Sequence, residues 1–216
     1  MYALILAGGI GTRLWPRSRQ QMPKQLLDIV AKNTMLQETF VRISPLIPPE
    51  RIFIVTNDTY APLVLEQIPV LPKSNVINEP SGHGTAPCIG LSALYLKRLD
   101  AQEVMASLHA DHLIEDAPGF RRALKAAAQV AETGHLVTLG IKPDHPDTGY
   151  GYIRRGEALG EAEGYQVYHV EKFIEKPDEE MALKFLESGQ YCWNSGIFVW
   201  KISTILKEME KDLPDL

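Results

Sequence analysis

An α/β fold, doubly wound around a mixed, mostly parallel sheet with helices on both faces, is what the 216-residue chain predicts. Two observations carry this. Short apolar runs alternate with helix-like stretches from end to end, and several runs are apolar on both faces, as strands buried in a parallel sheet are. The first run also leads straight into a glycine-rich turn, the arrangement that sets a ligand-binding loop at the carboxyl end of such a sheet.

In chain order, the predicted strands are Ala3 to Ala7, Arg51 to Thr56, Val104 to Leu108, Leu136 to Ile141, Tyr165 to Ile174 and Gly196 to Ile202. Helices fit between them. Thr34 and Gln37 have the spacing of a capping box opening a helix toward Ile43. Asp58 can cap the next helix, with Pro62 in its first turn. Ala117 to Thr133 carries Phe120, Leu124, Ala127, Val130 and Ala131 along one face and is closed by Gly134. Asp178 can cap a helix ending before Gly189. The stretch from Gly149 to Tyr168 is glycine-rich, aromatic and alternating, which predicts an antiparallel hairpin lying over the sheet as part of a substrate pocket. No linker or repeat divides the chain, so residues 1–216 read as one Rossmann-like domain.

Bulk properties exclude several function classes. The formal net charge of −5 argues against duplex nucleic acid as a partner. No apolar run approaches the roughly 20 residues of a membrane helix, and the N-terminus lacks the pattern of a signal peptide. Cys88 and Cys192 are the only cysteines and read as unpaired thiols. Together these features predict a cytoplasmic protein. The charge distribution says more than its sum. No acidic residue precedes Asp28, yet Arg13, Arg17, Arg19 and Lys24 all fall in that stretch. An acidic protein that concentrates cations in one segment is expected to meet an anion there.

The segment from Leu6 to Pro16, Leu-Ala-Gly-Gly-Ile-Gly-Thr-Arg-Leu-Trp-Pro, begins at that first strand. Its glycines permit positive φ and let backbone N–H groups approach phosphate oxygens. It lacks the Gly-Lys-Ser/Thr of a Walker loop, and Leu14 stands where a dinucleotide fingerprint needs its third glycine. What remains is a phosphate loop followed by cations: Arg13 can bridge two phosphate oxygens and Lys24 supplies a compact charge.

With Arg17-Ser18-Arg19 and Pro23-Lys24-Gln25, this segment resembles the signature of sugar-nucleotide pyrophosphorylases, a nucleotidyltransferase superfamily, and of its mannose-1-phosphate guanylyltransferase branch in particular. Four further segments agree in order: Glu79-Pro80 with Thr85-Ala86-Pro87; Ala110-Asp111-His112; Phe173-Ile174-Glu175-Lys176-Pro177; and Trp193-Asn194-Ser195-Gly196-Ile197-Phe198. The resemblance implies transfer of GMP from GTP to mannose 1-phosphate, with Mg²⁺ as cofactor. Carried over by motif, Arg13, Lys24 and Asp111 are the catalytic set. Ala7, Gly8, Gly9, Gly11, Thr12, Arg13 and Lys24 shape and charge the nucleotide loop. Asp111, at the end of a central strand, is the metal ligand. Glu79 can accept hydrogen bonds from guanine N1–H and its 2-amino group, with Gly84 giving the base room. Tyr150, Gly151, Glu175, Lys176 and Asn194 are the sugar-phosphate residues.

A zinc site at His109-Ala110-Asp111-His112 is the rival reading; strand alternation sends His109 and Asp111 to one face and His112 to the other, which argues against it. Trp193, Phe198 and Trp200 read as core rather than as ligand platforms. His83-Gly84 stands where the family more usually has Arg-Asn, and Asp212 and Asp215 match no family motif, whereas a second metal-binding aspartate and a further C-terminal region are expected from the resemblance. Two alternatives therefore stay open: another sugar-1-phosphate nucleotidyltransferase using UTP or dTTP, and a nucleotide-binding domain with weak or no turnover. Self-association as a homodimer through exposed apolar edges is the remaining partner expectation.

Overall fold

The structure is a computed structural model, and it describes residues 1–9, 11, 14–19, 21–29, 32–80 and 84–214. Among them are eight strands in one sheet and six α-helices. Strands β1 (Tyr2–Leu6), β2 (Ile52–Thr56), β3 (Val76–Asn78) and β4 (Val104–His109) run parallel, with β1 between β2 and β4. β8 (Tyr191–Lys201) is antiparallel to β4 through Phe198–Lys201, to β5 (Val137–Ile141) through Trp193–Val199, and to β6 (Gly151–Ala162) through Tyr191–Trp193. β7 (Tyr165–Glu175) closes the edge against β6.

Alternation along the strands divides the core between the two faces. Ala3, Ile5, Ile52, Ile54, Ala106 and Leu108 pack on one face with α1 (Met35–Ile43), α2 (Ala61–Gln67) and α4 (Ala117–Glu132). Leu4, Phe53, Val55 and Met105 pack on the other with α3 (Thr85–Asp100) and α6 (Ile202–Asp212). The doubly wound prediction is met. A third cluster joins Tyr152 and Trp193 to Ala182 and Phe185 of α5 (Glu179–Ser188).

Several local expectations hold at the atomic level. Thr34 and Gln37 form the reciprocal capping box, with N···O distances of 2.9 and 3.3 Å. Asp178 caps α5 by accepting from Met181 N–H at 2.8 Å, and Gly189 ends it at φ +63°. Gly134 follows α4 at φ +94°. Trp193 and Trp200 are buried, with Phe198 half-buried against the core. Cys88 and Cys192 are both free thiols.

Asp58 does not cap α2. Asn57 Oδ1 accepts from Tyr60 N–H at 3.0 Å, while Asp58 accepts from Asn78 Nδ2 and so ties the end of β3. The predicted flap is also different. β6 and β7 form one long hairpin, turned at Glu163 (φ 51°) and Gly164 (φ 83°), that extends the sheet rather than lying over it, because β6 pairs with β8. β8 begins at Tyr191, five residues before the predicted start.

Three elements carried no clear signal. α3 opens on Gly84 without a side-chain cap and presents Leu91, Leu94 and Leu99 to the surface, so its apolar residues run nearly all round. β3 has three residues. α6 follows β8 with no intervening turn.

Asn75, buried before β3, directs its amide to the carbonyls of Pro49, Glu50 and Ile52 at 3.3, 3.0 and 2.9 Å. Asn75→Ala strands these carbonyls, and urea titration should show a loss of about 2 kcal/mol.

Candidate functional site

The carboxyl ends of β1, β2, β3 and β4 form one edge, and the chain turns there into loops bearing the motif residues. Ala7 anchors the first. Its carbonyl accepts from Gln25 Nε2 at 2.8 Å and from Thr56 Oγ1 at 3.0 Å, and its N–H donates to Val55 O. Gly8 and Gly9 are exposed beyond it. Gly11 has φ +71°, and its carbonyl accepts from Ser18 Oγ at 2.5 Å. A Cβ on Gly11 would lie 2.6 Å from Lys24 Cγ, so the lysine stem passes directly over the glycine backbone. Buried Pro23 leads into the short 3₁₀ turn Lys24–Leu26, which orients both Lys24 and Gln25. Thr12, Arg13, His83 and Asp215 lie outside the described residues.

Lys24 Nζ donates to Asp111 Oδ2, joining residues 87 positions apart, with side chains 31% and 25% exposed. Asp111 follows β4 by two residues, and β1 and β4 are in register with Leu6 opposite His109. Burial pushes the Asp111 carboxyl up, but the hydrogen bond and charge of Lys24, with the neighbouring His112 and His109, outweigh it and hold the carboxyl below its ordinary value.

The loop after β4 is braced from α1. Thr39 Oγ1 donates to Ala110 O at 3.2 Å and Arg42 Nη2 donates to His112 O at 3.1 Å. The chain leaves the strand at Ala110, which brings the rings of His109 and His112 to 5.3 Å, contrary to the alternation expected of a continuing strand. Burial lowers the affinity of both imidazoles for protons. Among the described residues, no three His, Cys, Asp or Glu side chains are spaced to hold a metal ion.

Glu79 follows β3, its N–H donating to Thr56 O at 2.7 Å. Its carboxylate lies beside Gly8, 3.6 Å from where a Cβ would stand, and its charge reinforces burial in pushing the Cys88 thiol up to about 12. Gly84, at φ +95°, faces open space at the start of α3. The two predicted nucleotide residues on this edge thus flank the glycine loop and the opening of α3.

The five predicted sugar residues form a second cluster. Gly151 and Glu175 are opposite each other in the β6–β7 register, and a Cβ on Gly151 would lie 2.7 Å from Glu175 Oε2 and 3.6 Å from Asn194 Cβ. Lys176 N–H donates to Tyr150 O at 3.2 Å and its Nζ is 3.4 Å from Glu175 Oε1. Asn194 Oδ1 accepts from Gly196 N–H at 3.0 Å. Gly196, at φ +70°, meets the His109 ring, a Cβ there lying 3.1 Å from it. This contact joins the strand bearing Asn194 to the end of β4, two residues before Asp111. A separate groove of about 480 Å³ along the hairpin, lined by Arg154, Arg155, Tyr168 and Gln190, contains none of the predicted residues.

Sequence reasoning missed Gln25, Thr56, Thr39 and Arg42. Gln25 was visible in Pro23-Lys24-Gln25 as the partner of Lys24. The other three bond to main-chain carbonyls distant in sequence, and no local pattern marks them.

The family described as Nucleotidyl transferase matches residues 2–216. A mannose-1-phosphate guanylyltransferase of Escherichia coli is 46% identical over 215 residues, covering 99% of this chain and 45% of its own. Another, of Escherichia coli strain K12, is 43% identical over 220 residues, covering 100% and 46%. The chain therefore spans about half the length of the curated relatives it matches. A crystal structure described as mannose-1-phosphate geranyltransferase from Thermus thermophilus superposes with a TM-score of 0.89 at 36% identity, covering 99% of this chain and 61% of that one.

Proposed function

Because the chain belongs to the nucleotidyl transferase family, we propose that it transfers a guanylyl group from GTP to mannose 1-phosphate, giving GDP-mannose and pyrophosphate. An oxygen of the sugar phosphate attacks the α-phosphorus; the bond from that phosphorus to the β-bridging oxygen breaks, and pyrophosphate leaves with the electron pair. The protein's task is to align two polyanions and neutralise charge on the leaving group.

The single observation that carries this reading is the meeting of Lys24 and Asp111 beside Gly11, at the edge where the glycine loop opens. Lys24, with Arg13, holds the phosphates, while Gly8, Gly9 and Gly11 offer backbone N–H groups from the loop that Ala7 anchors and Thr12 belongs to. Glu79 accepts from the guanine N1–H and 2-amino donors, and Gly84 leaves the base room. On the other side, Glu175 and Asn194 bind hydroxyls, Lys176 takes the sugar phosphate, and Tyr150 and Gly151 provide the surface beneath the ring.

The donor set fits Mg²⁺ of a particular kind. One hard carboxylate, Asp111, beside Lys24 where the glycine loop opens, suits a hard cation that would be shared with substrate phosphate oxygens. When bound, that ion would offset charge on the phosphates. Asp111 would hold it, and Lys24, beside that carboxylate, holds the phosphates.

Residence in the cytoplasm and a homodimer belong to the same reading: both cysteines are unpaired, and α3 has exposed leucines that a partner copy would cover. No helix of the described residues is long and apolar enough to cross a membrane.

The test is pyrophosphate release from GTP and mannose 1-phosphate with Mg²⁺, repeated with UTP, dTTP and ATP and after chelation. Release that needs the sugar phosphate, prefers GTP and stops on chelation is expected. Preference for UTP or dTTP would shift the assignment to another sugar nucleotide, and GTP binding without release would reduce it to a nucleotide-binding domain.

A further inference from the structure

The segment between β5 and β6, residues 142–150, carries an arrangement that the proposed reaction has not used. His145 Nδ1 lies 2.5 Å from Asp144 Oδ1, and Nε2 lies 3.5 Å from Asp147 Oδ2. The same ring packs edge-on against Trp193 at 4.9 Å, and Tyr150 packs against that indole at 5.1 Å. Trp193 sits where β8 receives both flanking strands, opposite Ile141 of β5 and Tyr152 of β6. The segment is therefore closed over one buried indole by two rings five residues apart.

We propose that His145, clipped between Asp144 and Asp147 against Trp193, is a positioning residue that holds Tyr150 and Gly151 in place against Glu175 and Asn194 for the sugar phosphate. This rests on the sugar-phosphate site described under the proposed function.

The mechanical path is short. Asp147 N–H donates to Tyr152 Oη at 3.0 Å, and the Tyr152 hydroxyl donates back to Asp147 O at 3.0 Å. Asp147 Oδ1 also accepts from Gly149 N–H at 2.6 Å. Asp147 is thus tied to buried Tyr152 behind it and to the turn before Tyr150 ahead of it. Fixing the Asp147 carboxylate through His145 fixes the backbone that presents Tyr150 O to Lys176 and Gly151 to Glu175.

Protonation tunes this clip. Only the imidazolium has N–H donors at both nitrogens, one for each carboxylate. The hydrogen bond to Asp144 leads in raising the His145 proton affinity; desolvation, next in size, opposes it, and the Asp144 charge and then Asp147 add to the rise. The charged groups facing the ring, Asp144 and Asp147, are both on its own segment. Trp193 of β8 and Tyr150, before β6, present aromatic rings to the clip rather than charges. A raised native-state value means the clip is fully held below the ordinary histidine range and is lost as pH rises through the raised value.

The experiment has two arms on the full chain. Trp fluorescence is titrated from pH 5.5 to 9 in the wild type and in His145→Ala; imidazolium quenches a neighbouring indole, so the wild type should show a step with its midpoint above the ordinary histidine range, and the variant should lose it. Pyrophosphate release is then measured at each pH. His145→Ala should raise KM for mannose 1-phosphate about fivefold at pH 6, leave kcat and the KM for GTP within about twofold, and approach the wild type by pH 9. Variant-to-wild-type ratios cancel the ionisation of the substrate's own phosphate. His145→Arg, charged throughout, should keep a low KM at high pH. Absence of the fluorescence step overturns the clip, and a step without the change in KM overturns its positioning role. Wild-type protein that shows the step but neither binds nor uses the sugar phosphate overturns the proposed function and, with it, the positioning role, leaving only the clip.

Discussion

Lys24→Ala and Asp111→Asn should each reduce pyrophosphate release by about 10²–10³-fold, and the double variant should be little worse than either single one. The two side chains hold one another across 87 positions of sequence. Groups that act as a unit lose their common effect when either is removed. Additive losses, each multiplying the other, would mean that Lys24 and Asp111 act at separate steps.

A stability measurement separates this from simple damage. The Asp111 carboxyl lies below its ordinary value although burial opposes this, with the Lys24 hydrogen bond and charge the leading counterweight. Its stabilising contribution is therefore present above the unfolded carboxylate value, about 3.9, and is lost as pH falls through the lower native one. In Lys24→Ala the leading counterweight is absent and burial acts with less opposition, so the acid side of the Tm–pH curve should flatten while the near-neutral fold persists. An unaltered curve would show that the pair carries no differential proton binding.

Gly11→Ala is expected to have the second largest effect, through a side chain it does not itself possess. At φ +71° any non-glycine residue costs about 1–2 kcal/mol. Its Cβ would also lie 2.6–2.7 Å from Cβ, Cγ and Cδ of Lys24, the rigid beginning of that stem rather than its mobile tip. The lysine must move as a whole, carrying its ammonium away from Asp111. Activity should fall at least about tenfold, and on a Lys24→Gly background, which removes Cβ, Cγ and Cδ alike, the same change should add only the backbone strain. Gly9→Ala is the stability control: a Cβ there meets nothing within 4 Å, so its Tm should stay within the effect of about 0.5 kcal/mol. If Gly11→Ala is equally damaging without Lys24, the displacement account fails.

Legibility in the sequence followed the range of the interaction. Thr34 with Gln37, Asp178 with Gly189, and the runs that became β1, β2 and β4 depend on contacts within a few residues, so their patterns sufficed. Asp58 failed as a cap because Asn57 was one position better placed for the same N–H groups and Asn78, twenty residues on, took its carboxylate. α3 was hidden by its own composition: leucines on its outer face blur the period that marks an amphipathic helix. The opposed histidines rested on a strand that in fact ends at His109, an outcome set by Thr39 and Arg42 bonding to the carbonyls of Ala110 and His112 from α1.

The sequence by itself determined the alternation of strands and helices, the glycine turn after β1, and which residue types stand at each strand end. It also determined the family, since motifs preserve order along a chain. Tertiary structure alone decided which strand ends lie side by side. Periodicity reports which face a residue presents but is silent on the neighbour it meets, and neighbours are chosen by burial of whole faces. That choice set β1 beside both β2 and β4, so that Lys24 meets Asp111; it ran β8 antiparallel between β4 and β5, so that Gly196 meets His109; and it closed residues 142–150 over Trp193, so that His145 and Tyr150 share one indole.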